Sequence, residues 1–338
     1  MAVLIAKSLP LALQQQVLDK IFPGDAPPPL VIEPTAKHRI TFIHMLGYGS
    51  RPNMPRTRAM FGKKASDDVA LVFSSFLAPK LPSVRWVVPR APKRQTTMSD
   101  RNLGKGVRIP AWFDVHGRKF SSKQDWTGMC DAVRLLAEVV RHEVEDRGVP
   151  PENIVVSGFS QGGCVALMHA VVQDAALFAS LGEELPELDD ASGLARWAAH
   201  LDARLDSDAP TRYRVGGVVA WRTFLPSVRM ALHRELGLGF VVPPLDGARA
   251  RECDTLFIMG SDDGMVSPTA SLLSARVLRR LGAKVDVRQV KGSVRHVAPR
   301  AEWAIVGQWL ERRVEAGPSS PNMCNSSGWE TNGRPFRA

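Results

Sequence analysis

The sequence predicts an α/β fold: a doubly wound, mostly parallel sheet with helices on both faces. Three observations carry that expectation. First, residues 154–167 read as a buried strand, a sharp turn and a buried helix, with β-branched residues leading into Gly158-Phe159-Ser160-Gln161-Gly162 and small apolar residues leading out. Second, apolar strand-like runs alternate with helical patterns along most of the chain, which implies right-handed crossovers between parallel strands. Third, a serine, a pair of aspartates and a histidine follow one another at that turn and just beyond two later strands. Open α/β sheets keep their sites at such carboxyl ends.

Taken in order, residues 1–28 form an N-terminal extension with one short helical pattern (Leu11, Leu13, Val17, Leu18, Ile21) and then a proline-rich breaker. A single domain is expected over 29–315. It opens with strands at 30–32 and 40–43, the second running into the glycine-rich His44-Met45-Leu46-Gly47-Tyr48-Gly49. A helix over 66–79, a strand over 84–88 and a long basic loop over 89–110 follow, closed by Trp112-Phe113-Asp114. Met129, Val133, Leu136, Val140 and Val144 recur at three or four, the spacing of an amphipathic helix over 125–147; Gly148 and Pro150-Pro151 end it. The strand–turn–helix unit runs to about residue 173. Residues 174–210 interrupt the rhythm as an acidic, lid-like insertion with one helical face (Leu194, Trp197, Leu201, Leu205). Strands at 215–220, 255–260 and 285–290 and helices at 269–281 and 301–314 complete the domain. Residues 316–338 read as a polar C-terminal tail rich in Ser, Asn, Gly and Pro.

Composition narrows the function classes. The chain has 338 residues, 44% apolar and 23% charged, which suits a soluble globular protein. No window reaches the roughly 18 uncharged apolar residues that a transmembrane segment needs. Cys130, Cys164, Cys253 and Cys324 lie far apart without metal-ligand spacing, so no metal or cofactor is expected and a reducing, cytoplasmic setting is the default. The net charge of +10 is uneven: residues 51–108 hold 13 Lys/Arg against 3 Asp/Glu, and residues 174–208 hold 9 acidic against 2 basic. Such runs serve as solvated faces, or the basic one steers an anionic partner. No nucleic-acid motif accompanies it.

The turn carries chemistry. A Gly-x-Ser-x-Gly elbow exposes the Ser160 hydroxyl at a helix N-terminus, with the backbone N–H of Gln161 aimed at any oxyanion formed beside it. The glycines fit because Cβ atoms two residues either side would collide with strand and helix. A serine becomes a nucleophile when an oriented base takes its proton. In this type of fold the base and its orienter follow the serine in the order carboxylate, then histidine. Strand 255–260 ends in Gly260-Ser261-Asp262-Asp263, and strand 285–290 is followed after a few residues by His296. Of the two aspartates Asp263 is preferred as orienter, with Asp262 capping the turn. The second oxyanion N–H is assigned to Leu46, with His44 structural. Met45, Tyr48, Trp112, Phe113 and Trp197 are candidates for the substrate pocket.

On these residues the sequence resembles the acyl-protein thioesterase/carboxylesterase (phospholipase–carboxylesterase) family of α/β-hydrolases. The string Gly158-Phe159-Ser160-Gln161-Gly162-Gly163 is similar to that family's elbow letter for letter. Trp112-Phe113-Asp114 matches its segment beside the site, and Gly260 to Val266 and His296 fall where its acid and base do. The resemblance covers about residues 29–170 and 213–313. It implies a triad of Ser160, Asp263 and His296 with Leu46 and Gln161 as oxyanion donors. The chain departs from the family at Met45, Tyr48, Met259 and Arg295, and both the 90–110 loop and the 174–210 insertion are longer.

Three functions follow as expectations. The leading one is a serine hydrolase acting on an acyl ester or thioester. A second passes the acyl group to the substrate's own hydroxyl and releases a lactone, as a polyketide might leave an acidic carrier protein docked on the basic 51–108 segment. A third, of another class, is a non-catalytic acyl-binding protein.

Overall fold

Seven strands meet in one sheet, and the five inner ones are buried along almost their whole length, the pattern of strands covered by helices above and below. The computed structural model describes residues 28–50, 69–116, 125–172, 213–226, 254–280, 283–291 and 296–316. The N-terminal extension short of Pro28, the insertion over 174–210 and the tail beyond 316 lie outside these residues.

In chain order the strands are β1 (Leu30–Ile32), β2 (Ile40–Met45), β3 (Val84–Val88), β4 (Lys93–Gln95), β5 (Arg108–Pro110), β6 (Ile154–Phe159), β7 (Gly217–Trp221), β8 (Asp254–Gly260) and β9 (Lys284–Val290). The sheet runs β1-β3-β2-β6-β7-β8-β9. Only β1 is antiparallel, pairing Val31 with Val87; the other contacts are parallel, as in Ile43 opposite Val156 and Val156 opposite Val218. From β2 the chain winds first to β3 on one side and later from β6 to β9 on the other. The reversal lies between β2 and β6. That is the topological switch point, where open α/β sheets bind ligands.

The described helices are α1 (Val69–Val72), continued by a π-helical turn (Phe73–Leu77), then α2 (Thr97–Leu103), α3 (Trp126–Glu145), α4 (Gln161–Val172), α5 (Pro268–Arg280) and α6 (Arg300–Ala316). Alternate strand residues feed two separate cores. Ile43, Met45, Val156, Val218, Ala220 and Phe257 pack beneath α3, α4 and α5. Phe42, Val155, Val219, Trp221 and Ile258 pack against α1 and α6. Helices thus cover both faces, as the sequence predicts for a doubly wound sheet.

Two expectations are corrected. The basic loop over 89–110 is no loop: β4 and β5 pair antiparallel around α2. Thr96 caps α2 by accepting from the Ser99 N–H, with Ser99 reciprocating. Those two strands are only three residues long and hydrophilic at Lys93, Arg94 and Arg108, so no period-2 apolar signal betrays them. The helix expected over 66–79 gives way after Val72 to the π turn, closed by the Ala78 N–H to the Phe73 carbonyl at 2.7 Å. Residues 66–68 lie outside the described set.

Candidate active site

At the carboxyl end of β6 the chain turns so sharply that Ser160 adopts φ 55°. That left-handed conformation is costly for a residue with a Cβ and persists because its surroundings dictate it. The Ser160 N–H donates to the Trp221 carbonyl at 2.8 Å, and its carbonyl accepts from the Cys164 N–H at 3.1 Å and from Thr223 Oγ1 at 2.7 Å. A Cβ on Gly158 would overlap the Gly162 carbonyl, and one on Gly162 would overlap the Met45 carbonyl. Both glycines are there for close approach. With its backbone pinned on three sides, Ser160 presents a half-buried side chain at the start of α4. The first N–H groups of that helix have no partner within it.

The loop after β2 lies against the same spot. An ideal Cβ on Gly47 would stand 3.4 Å from Ser160 Cβ. Leu46, the preceding residue, is buried. Its carbonyl accepts from Trp112 Nε1 at 2.7 Å. Gln161 completes a brace: its Oε1 accepts from the Trp112 N–H at 2.9 Å and its Nε2 donates to the Phe113 carbonyl at 2.7 Å. The segment 112–113 therefore ties the β2 loop to the elbow through neutral hydrogen bonds. Of the pocket candidates, Met45 sits in the core at 0% exposure and Trp112 is equally enclosed. Phe113 is buried beside them. Tyr48 is half-buried with its hydroxyl 2.5 Å from Thr96 Oγ1, and burial pushes its phenol pKa up. Trp197 lies outside the described residues.

Asp263 follows β8 and His296 lies between β9 and α6. His296 Nδ1 is 2.8 Å from Asp263 Oδ2. The other carboxylate oxygen accepts the Met265 N–H at 2.8 Å and the Val266 N–H at 3.0 Å. Burial would raise the Asp263 pKa, but the His296 hydrogen bond and charge and these two amides outweigh it and hold it at about 2. Asp263 thus orients the imidazole with one oxygen and caps its own turn with the other. Asp262 does not cap the turn; among the described contacts it accepts only from Ser261 Oγ. The imidazole leans on Phe159, ring centroids 4.9 Å apart, one residue from Ser160. Its remaining nitrogen, Nε2, is buried and has no hydrogen-bond partner among the described residues.

Elsewhere the interior holds groups that do not share this arrangement. His44 Nδ1 meets Ser157 Oγ at 3.0 Å, and the ring is enclosed by Phe42, Phe73, Trp221 and Trp303. Burial drives its pKa down to about 3, so it stays neutral and structural. Cys164 lies under the elbow with Sγ 3.3 Å from Thr223 Oγ1, its thiol pushed up to about 11 by burial.

Sequence reasoning missed the other side of Asp263. Arg222 follows β7 with φ 45°, its N–H donating to the Ile258 carbonyl at 2.7 Å. Its side chain is fully buried and Nη1 donates to Asp263 Oδ2 at 3.2 Å. Nε donates to Glu302 Oε2 at 3.0 Å, and Nη2 to Glu302 Oε1. Glu302, on α6 and 0% exposed, also accepts from Trp221 Nε1. A Cβ on Gly260 would intrude on the guanidinium. The one hint in the sequence is a charged residue directly after the apolar run of β7.

A family model described as Phospholipase/Carboxylesterase matches residues 27–182. A protein of Oryza sativa subsp. japonica named probable carboxylesterase is 38% identical over 99 residues, 29% of this chain and 35% of its own length. Acyl-protein thioesterase 1 of Cryptococcus neoformans var. neoformans serotype D is 31% identical over 145 residues, 41% of this chain and 51% of its own. The chain thus spans about a third to a half of the length of these curated relatives. The crystal structure of Zea mays acyl-protein thioesterase 2 superposes with a TM-score of 0.54 at 20% identity, covering 85% of this chain and 98% of that one. That likeness shows the fold alone, the α/β-hydrolase fold. The expected family resemblance holds, and the family model takes in Ser160 and the β2 loop but stops short of Asp263 and His296.

Proposed function

We propose that this chain, related to the phospholipase/carboxylesterase family over residues 27–182, is a serine hydrolase of carboxylic ester or thioester bonds in an acyl substrate. One observation carries the reading. A histidine held by a buried carboxylate leans on Phe159, the residue before a strained serine at the sheet's switch point, and its second ring nitrogen has no partner among the described residues.

In this mechanism Ser160 Oγ attacks the acyl carbonyl carbon while His296 Nε2 takes the hydroxyl proton. Asp263 keeps the other ring proton on Nδ1 and stabilises the imidazolium. Negative charge gathers on the carbonyl oxygen, where the N–H groups of Leu46 and Gln161 receive it. A preorganised donor of this kind is worth roughly 3–4 kcal/mol. The tetrahedral intermediate collapses as His296 gives its proton to the departing alkoxide or thiolate, leaving an ester on Ser160. Water, deprotonated by the same nitrogen, then attacks that ester and frees the acid.

The lactone-forming and binding-protein readings gain no support from the described residues. Much of what motivated the former, 51–68 of the basic segment and the 174–210 insertion, lies outside them. The test combines intact mass and turnover. A fluorophosphonate should add one adduct to the wild type and none to Ser160→Ala. That variant should lose roughly 10³-fold or more in hydrolysis of p-nitrophenyl esters and acyl thioesters while folding normally. Equal labelling or equal turnover in the two proteins would overturn the assignment.

A further inference from the structure

Oδ2 of Asp263 serves two cationic or potentially cationic donors at once: His296 Nδ1 at 2.8 Å and Arg222 Nη1 at 3.2 Å. With Oδ1 taking two backbone amides, the carboxylate accepts four hydrogen bonds. We propose that Arg222, held in place by Glu302, is a positioning residue for the triad carboxylate Asp263, and that this pair sets the acidic edge of the pH range in which the enzyme works. The inference rests on the hydrolase reading above.

Three features make Arg222 a built device. Its guanidinium is fully buried and engages Glu302 through two nitrogens, the fork geometry that fixes both partners. Its backbone holds a left-handed φ that an arginine gains nothing from locally, fastened by the N–H to Ile258. Gly260 leaves the space that the guanidinium occupies. Arg222 therefore cannot swing away from Asp263 without abandoning Glu302, and a buried charge without its partner is costly.

The electrostatic consequence has a definite sign. The charged groups around the imidazole in the described residues are Asp263 from the β8 exit, Arg222 from the β7 exit and Glu302 from α6. Phe159 from the elbow supplies an uncharged face, and Arg300 at the start of α6 is turned onto the Phe76 ring, 4.6 Å away. Arg222 is the cation among them. It shares Oδ2 with the imidazole, so the charge on that oxygen is divided between two donors. Glu302 tempers that effect by neutralising Arg222 from behind. Removing the positive charge leaves Oδ2 to the imidazole alone and should move the acidic limb of kcat/KM to higher pH. Removing only the negative charge of Glu302 should turn more of the Arg222 charge toward Asp263 and move the limb to lower pH.

The experiment measures kcat/KM for p-nitrophenyl butyrate from acid to neutral pH in wild type, Arg222→Met and Glu302→Gln. The pH response of the His296 ring signals is followed by NMR in the same proteins, which needs no turnover. Arg222→Met should shift the limb upward by roughly one pH unit, Glu302→Gln should shift it downward, and Arg222→Lys should restore part of the wild-type profile. The double variant Arg222→Met/Glu302→Gln removes the pair without stranding a buried carboxylate, and it too should shift upward if the single variant does not fold. Shifts of the same sign in Arg222→Met and Glu302→Gln, or limbs that stay put while only stability falls, would overturn the proposal and leave the hydrolase reading intact. Ring signals that move in opposite directions in a protein without Ser160-dependent turnover would uphold the Arg222 effect on His296 and sink the hydrolase reading instead.

Discussion

Two buried arginine–glutamate pairs stand at opposite ends of the sheet, and they are built differently. At the amino end Arg85 of β3 donates from Nε to both oxygens of Glu143, at 3.3 and 3.2 Å. Thr41 Oγ1 adds a bond to Glu143 at 3.2 Å. This cluster opens to water: Arg85 also pairs with Glu33, which is 59% exposed, and Arg147 at 38% exposure lies 3.5 Å from Glu33 and 3.8 Å from Glu143. At the carboxyl end Arg222 and Glu302 are enclosed, and among the described residues their third charged partner is Asp263. The same two residue types therefore tie β3 to a helix with solvent as a reserve, or steer a carboxylate with none. Where the fork points, and whether water can replace a lost partner, decides which role results.

The largest expected effect separates the two ends by stability. Arg222→Met strands Glu302 and should cost about 3–5 kcal/mol in guanidinium unfolding. Arg85→Met leaves Glu143 with the surface-reaching Arg147 and should cost clearly less, about 1–3 kcal/mol, with an unchanged pH–rate profile. Equal losses would erase the distinction.

A second effect concerns groups the interior keeps neutral. Buried His44 and His169 have pKa values lowered to about 3 and about 4 by burial. Because their folded values lie below the unfolded one near 6.5, each contributes stability that is full above pH 6.5 and is lost as pH falls toward its folded value. The slope is about 1.4 kcal/mol per pH unit per histidine. Unfolding at a series of pH values should show it, and His44→Phe should remove one share. Asp263, held at about 2, has the ordinary carboxylate sign. Its contribution is present above about pH 4 and disappears between there and about 2.

Third, the neutral brace should behave unlike the charged one. Gln161→Met removes two hydrogen bonds to 112–113, each worth about 1 kcal/mol, and should lower kcat roughly 10-fold without moving the acidic limb. A shifted limb would show that the brace acts on His296 as well. The smallest effect is a control. Arg141, exposed on α3 between Glu138 and Glu145, should tolerate alanine with no measurable change in unfolding midpoint.

Much of the sheet was legible because its strands are runs of β-branched residues and its helices keep their period. The elbow was legible because steric demands at Gly158 and Gly162 reduce the choice of residue to one. The strands β4 and β5 were hidden by their length and basic side chains, and the π turn at Phe73–Leu77 by helical periodicity that runs straight through it. Neighbouring Asp262 and Asp263 are alike as text. Only the turn geometry tells which carboxylate faces inward. Arg222 and Glu302 are 80 residues apart, and no local pattern announces a pairing across two crossovers.

Cys164, enclosed beneath the elbow with its thiol at about 11, bears on how the protein can be labelled. At neutral pH only about one molecule in 10⁴ would carry the thiolate there, and alkylating reagents act on that form. Cys130 is enclosed as well. Maleimides and iodoacetamides should therefore pass over both thiols in the native state and react once unfolding exposes them. In a Cys253→Ser/Cys324→Ser variant, which removes the two thiols outside the described residues, a serine-directed warhead and a thiol-directed dye can then be used on one sample, the first counting competent sites and the second counting molecules that have come apart.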